Sequence, residues 1–127
     1  MSIIRVDNFG PSAGGTTYSA RGIAKAWVGF KGTATVAIEQ GSENVASITD
    51  NGTGDYTINF SNNMNSGTEY IVTGTAGNNS TSLKAFCQPF NLAAPAAGSV
   101  RIQTPESDGG LSSDPRIVFA TIHGDLA

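Results

Sequence analysis

The chain holds one histidine, His123, and one cysteine, Cys87, and these two residues bound most of the chemistry it can perform. A single histidine excludes a His-based metal cluster within one chain, and a single cysteine excludes an intrachain disulfide. Residues 10–14 (GPSAG) spell the G-x-S-x-G pattern of an acyl-transfer nucleophile, which needs a strand before it and a helix after it. Gly15-Thr16-Thr17 opens no helix, so the segment reads as a loop and His123 as a strand-end residue. Asp50 and Asp55 flank a turn and could bring two carboxylates to the ~5–10 Å separation used in glycoside hydrolysis. The intervening DNGTGD is also what a hairpin wants, and that reading is favoured. Glu39 and Glu43 stand on either side of Gly41 in the same manner. Asp50, Asn51, Thr53 and Asp55, and separately Glu106 and Asp108, make loose oxygen clusters without the spacing of a calcium loop. Gly14-Gly15 lacks the G-K-[ST] ending of a phosphate-binding loop. Cys87, between Phe86 and Gln88, reads as a buried structural thiol. These residues point away from an enzyme and imply no cofactor and no metal.

The composition narrows the class further. The chain has 127 residues, enough for one domain with its own core. Charged residues are 13% of it, against ~25% in an average soluble protein, which argues against a solvated disordered tail. Seven Lys and Arg against ten Asp and Glu give a net charge of -3, which argues against nucleic acid as a partner. No stretch approaches the ~20 apolar residues of a membrane helix, so no membrane insertion is expected. Residues 1–7 lack the apolar run of a signal peptide, which predicts a protein made in a cytoplasm.

Any functional side chain must therefore be positioned by strands. Glycine is abundant at 16 residues, and no window shows a sustained i, i+3, i+4, i+7 apolar pattern. Short strand signals recur between turn signals. They fall at residues 3–6, 23–30 (IAKAWVGF), 33–39 (TATVAIE), 45–49, 55–60 (DYTINF), 69–75 (EYIVTGT), 83–88, 99–104 and 116–123 (RIVFATIH). The sharpest turn is Asp50-Asn51-Gly52-Thr53-Gly54, and Lys31-Gly32 marks another. Within 55–60, Tyr56, Ile58 and Phe60 share one face. The expected fold is all-β, an antiparallel β-sandwich of about eight short strands over residues 21–127. Residues 1–20 read as an N-terminal extension or attachment segment. Trp27, Phe30, Tyr56, Phe60, Tyr70, Phe86 and Phe119 are the expected core, each able to bury ~150–250 Å².

Residues 24–30 (AKAWVGF) and 45–60 (VASITDNGTGDYTINF), followed by the turn Thr73-Gly74-Thr75-Ala76, resemble a domain that recurs in tailed-bacteriophage tail-fibre and related virion proteins. The similarity is clear over residues 23–76 and weaker over 83–123. Gly29 departs from the family pattern, where Asn is common, and Asn65 follows Met64 where many relatives have Pro. The resemblance implies a virion protein, typically a homotrimer, with other virion proteins as partners and no established catalytic residues.

Two functions follow as expectations. The first is a tail-fibre or tail-tip component that mediates host attachment by non-enzymatic binding of surface glycan. The second is a capsid decoration or tail adaptor protein with a purely structural role. For the first, the polar loops 61–67, 76–82 and 106–114 supply Asn63, Asn65, Asn78 and Asn79 as contacts, with Tyr18 or Tyr70 as a stacking platform. Ile3, Ile4 and Val6 are candidates for docking onto a virion partner or a neighbouring copy by strand addition, or else for pairing within their own domain. Sheet edges in so small a β-domain must be paired or protected, and few lysines are available to discourage association.

Overall fold

The structure is a computed structural model that describes residues 22–77, 93–105 and 114–127, together with the backbone of the short strands at 8–9, 18–19 and 88–89. Ten strands occur among the described residues. They are β1 (Asn8–Phe9), β2 (Tyr18–Ser19), β3 (Ala24–Lys31), β4 (Ala37–Glu43), β5 (Val45–Gly52), β6 (Asp55–Phe60), β7 (Tyr70–Gly77), β8 (Gln88–Pro89), β9 (Ser99–Gln103) and β10 (Ile117–Gly124). Every strand pairing is antiparallel, and no α-helix occurs among the described residues. One four-stranded sheet runs β4-β3-β10-β7, the other β5-β6-β9-β8, and β1 and β2 form a separate pair.

Two-residue alternation builds the core between the two sheets. The first sheet contributes Ala26, Val28 and Phe30 from β3, Val118, Ala120 and Ile122 from β10, and Tyr70 and Ala76 from β7. The second contributes Tyr56, Ile58 and Phe60 from β6, Val100 and Ile102 from β9, and Val45 from β5. Aromatic pairs cross between the sheets. Phe30 meets Tyr56 edge to face at 5.1 Å, and Phe60 meets Tyr70 at 5.8 Å, geometries that add to the gain from burial. Met64, from the loop after β6, is fully buried, and its backbone bridges to Leu126.

Two connections fix how the sheets meet. Asn44 alone joins β4 to β5 and so carries the chain from one sheet to the other. It does this with φ of 53°, a left-handed conformation that asparagine tolerates better than most residues. Its side-chain oxygen accepts hydrogen bonds from the Asn62 backbone N–H (2.7 Å) and Asn62 Nδ2 (3.0 Å), and its Nδ2 donates to the Asn62 carbonyl (3.1 Å). The β5–β6 hairpin closes through Thr53-Gly54, with Gly54 at φ of 65°. Asp114 Oδ1 accepts from the Gly54 N–H (2.9 Å) and from the Tyr56 hydroxyl (2.8 Å), tying the hairpin to the chain that enters β10. Burial, and then this bond to the Asp114 carboxylate, push the Tyr56 hydroxyl far above its ordinary value, so it stays a donor.

The expected all-β sandwich is observed, and the structure corrects several details. The second strand begins four residues later than the pattern in 33–39 predicts. Ala34 takes φ of 58°, and the chain bends through 33–35 before β4 starts at Ala37. Gly41 is not a hairpin turn. It lies inside β4, beside a bulge where Gly29 pairs with Gly41 but Phe30 pairs with Ile38. Trp27 and Phe119, expected in the core, are each 40% exposed on the outer side of the first sheet. The strands expected at 3–6 and in 83–87, with Phe86 and Cys87, lie outside the described residues, as does the boundary at residue 20.

Candidate functional site

The two outer faces of the sandwich differ in chemistry. On the β5-β6-β9 face, polar side chains satisfy one another. Asn59 Nδ2 donates to Ser47 Oγ (3.1 Å) and Thr49 Oγ1 (3.0 Å), and Asn51 Nδ2 donates to Thr57 Oγ1 (2.9 Å). Arg101 holds Asp55 through Nε (2.8 Å) and an Nη2 bond, a bidentate pair that keeps the Asp55 carboxyl below the usual carboxylate range. This face is a closed hydrogen-bonded ladder.

The outer face of β4-β3-β10-β7 carries apolar rings instead. Strand register sets its rows. Glu43, Trp27, Thr121 and Thr73 stand side by side across the four strands, and the next row is Gly41, Gly29, Phe119 and Thr75. The two facing glycines are the floor of the site. A Cβ on Gly41 would lie 3.3 Å from Trp27 Cη2, and one on Gly29 would lie 3.0 Å from Phe119 Cε1 and 2.6 Å from Gln40 Cβ. Ring atoms of Trp27 and Phe119 therefore occupy space that a side chain at Gly41 or Gly29 would need, and such a side chain would displace them. Gly41 also has φ of 94°, a conformation few other residues adopt.

Beside this platform are two open depressions that share Thr73. The larger, about 620 Å³, is lined by Gly22, Glu69, Ile71, Thr73 and His123 among others. The smaller, about 320 Å³, is lined by Thr73, Gly74, Thr75, Phe119 and Thr121. The Thr73 and Thr121 hydroxyls are hydrogen-bonded to each other at 2.8 Å. Ile71 is 64% exposed at the rim. The surface thus offers two flat rings, hydroxyls that both donate and accept, and an amide at Gln40.

The groups with chemical potential are otherwise engaged. Asp50 Oδ1 accepts from the Gly52 N–H (3.0 Å), while Asp55 is held by Arg101, so the two carboxylates serve the hairpin. Glu39 pairs with Arg116 (2.7 Å) and Lys31 (3.1 Å), and those two cations hold its carboxyl below its ordinary range. His123 Nδ1 lies 3.1 Å from the Gly22 carbonyl. Among the described residues, no three His, Cys, Asp or Glu lie together as a metal site would need.

Of the contacts expected from the sequence, Asn63 and Asn65 are exposed in the loop after β6. Asn65 reaches the rim of the larger depression, because its Nδ2 donates to Glu69. Tyr70 is corrected. Its ring is 8% exposed, its hydroxyl donates between the carbonyls of Ala96 (2.9 Å) and Ser99 (3.1 Å), and burial raises it to about 12. It packs the core, and although it also lines the larger depression, so little of it is exposed that it does not form an open stacking platform. Tyr18 lies in β2, where only the backbone is described, and Ile3, Ile4, Val6, Asn78 and Asn79 lie outside the described residues. So do the GPSAG segment, Glu106 and Asp108. The platform residues Trp27 and Phe119 were missed as surface groups, although their sequence parity opposes that of Val28 and Phe30, and of Val118 and Ala120. Compared with models of known protein families, with curated proteins and with solved structures, the chain shows no match in any of the three.

Proposed function

We propose that this chain is a non-enzymatic structural protein of a tailed-bacteriophage virion, a tail-fibre or tail-tip component that mediates host attachment by binding surface glycan. The virion context rests on the resemblance of residues 24–30 and 45–60. The observation that carries the binding role is the pair of half-exposed rings, Trp27 and Phe119, packed against Gly41 and Gly29 on the outer face. A flat ring covers the C–H face of a sugar, while Thr73, Thr75, Thr121 and Gln40 are placed to exchange hydrogen bonds with its hydroxyls. Uncharged donors and acceptors suit a neutral, strongly hydrated ligand, because their desolvation costs less than that of ions.

The test has two arms. Purified protein competes with virions for adsorption to host cells, and Trp27→Ala protein does not. Antibody against the chain labels the tail in electron micrographs. Labelling confined to the capsid shell, with no competition, would refute attachment and leave the decoration or adaptor role.

A further inference from the structure

We propose that β7 is a self-association edge, which pairs antiparallel with β7 of a second copy of this chain about a two-fold axis to form one continuous eight-stranded sheet. The sandwich has four edge strands, and three are visibly protected. β4 is interrupted by its bulge, and Glu39 there gathers Lys31 and Arg116. β5 has two register shifts and carries Asp50. β8 is two residues long and contains Pro89. Bulges, charge, shortness and proline are the devices by which natural sheets block further pairing. β7 has none of them. Its eight residues (YIVTGTAG) contain no charge and no proline, and all eight pair with β10 without a register shift. Among the described residues β7 belongs to no other strand pair.

The second copy is the occupant because the strand is complementary to itself. With the axis at Thr73, Thr73 faces its own counterpart and Ile71 faces Thr75, so β-branched side chains meet on the outer face and no like charges oppose. A paired length of eight residues is ~26 Å, which with sheet thickness covers only a few hundred Å² per copy. That is below a standard stable interface, so the pair is weak in dilute solution and favoured where copies are held close together. The proposal does not rest on the glycan reading, since it uses the edge hydrogen bonds of β7, although Thr73 and Thr75 border both surfaces. It also gives a stoichiometry of two, not the three that the fibre resemblance implies.

Sedimentation velocity on the full chain from about 10 µM to about 1 mM tests it. A monomer–dimer equilibrium is expected, with slower amide hydrogen exchange in residues 70–77 as concentration rises. Ile71→Lys combined with Thr75→Lys sets lysine against lysine, and should weaken the dimer at least ~10-fold while high salt recovers part of the loss. Circular dichroism checks that this variant is folded, and the exchange experiment on the unaltered chain needs no variant. A monomer at every concentration, a trimer, or exchange in residues 70–77 that is the same at about 10 µM and at about 1 mM would each overturn the proposal.

Discussion

Gly32 should be intolerant of even a methyl group, and the reason can be isolated. The residue follows β3 and donates its N–H to the Pro115 carbonyl at 2.9 Å. A Cβ there would lie 2.2 Å from the Tyr56 hydroxyl oxygen, 2.8 Å from Tyr56 Cζ and 3.0 Å from Pro115 Cδ. The first distance is more than 1 Å inside ordinary contact, and Tyr56 is fully buried with its hydroxyl held by Asp114. The ring cannot yield without losing that bond. Overpacking of this kind costs about 1–3 kcal/mol, and the upper half is expected for Gly32→Ala. Tyr56→Phe alone should cost about 1–2 kcal/mol, since Asp114 loses one of two donors. In the double variant the worst overlap is gone and the ring is no longer tethered. The pair should therefore cost about 1 kcal/mol less than the sum of the singles. Urea unfolding of the four proteins, compared at fixed m, measures this directly. Strict additivity, or a Gly32→Ala cost below ~0.5 kcal/mol, would refute the packing argument.

Ala34 has φ of 58°, so Ala34→Gly should stabilise by about 0.5–1 kcal/mol, read as a rise of a few degrees in Tm. Asn44→Ala should destabilise by about 2 kcal/mol in the same assay, because it removes the bonds to Asn62 and leaves alanine left-handed. Asp55 is held below its unfolded value by Arg101, so its contribution is complete above the unfolded pKa of ~3.9 and is lost as pH falls through the lower folded value. Arg101→Ala should lower stability at pH 7 and lower it less as the pH falls through that folded value, measured by urea melts across the range.

Strands whose two faces differ were legible residue by residue. Asp55–Phe60 sits where its alternation puts it, and its inward set is the predicted Tyr56, Ile58 and Phe60. Residues 33–36 carry equally good β residues, yet the chain bends there, since tertiary placement of Ala34 overrides propensity. The corner at Asn44 has no turn dipeptide to announce it, because one left-handed residue does the work of a loop. Size points aromatic residues to the core, whereas the strand places them by parity. Trp27 and Phe119 fall on the outer side for that reason, and the candidate surface was hidden with them.

The single-residue link at Asn44 also governs how the chain can vary in length. An added or deleted residue there would leave β5 in register with β6, which the Thr53-Gly54 turn fixes, and would instead slip β4 along β3 or break the left-handed corner. Between Gly32 and Val36 the link from β3 to β4 is less constrained, since residues 33–35 bend irregularly before pairing resumes. Insertions and deletions among descendants of this domain should accumulate on that side and be purged at the corner, so that the rings over Gly29 and Gly41 keep their setting while nearby loops drift.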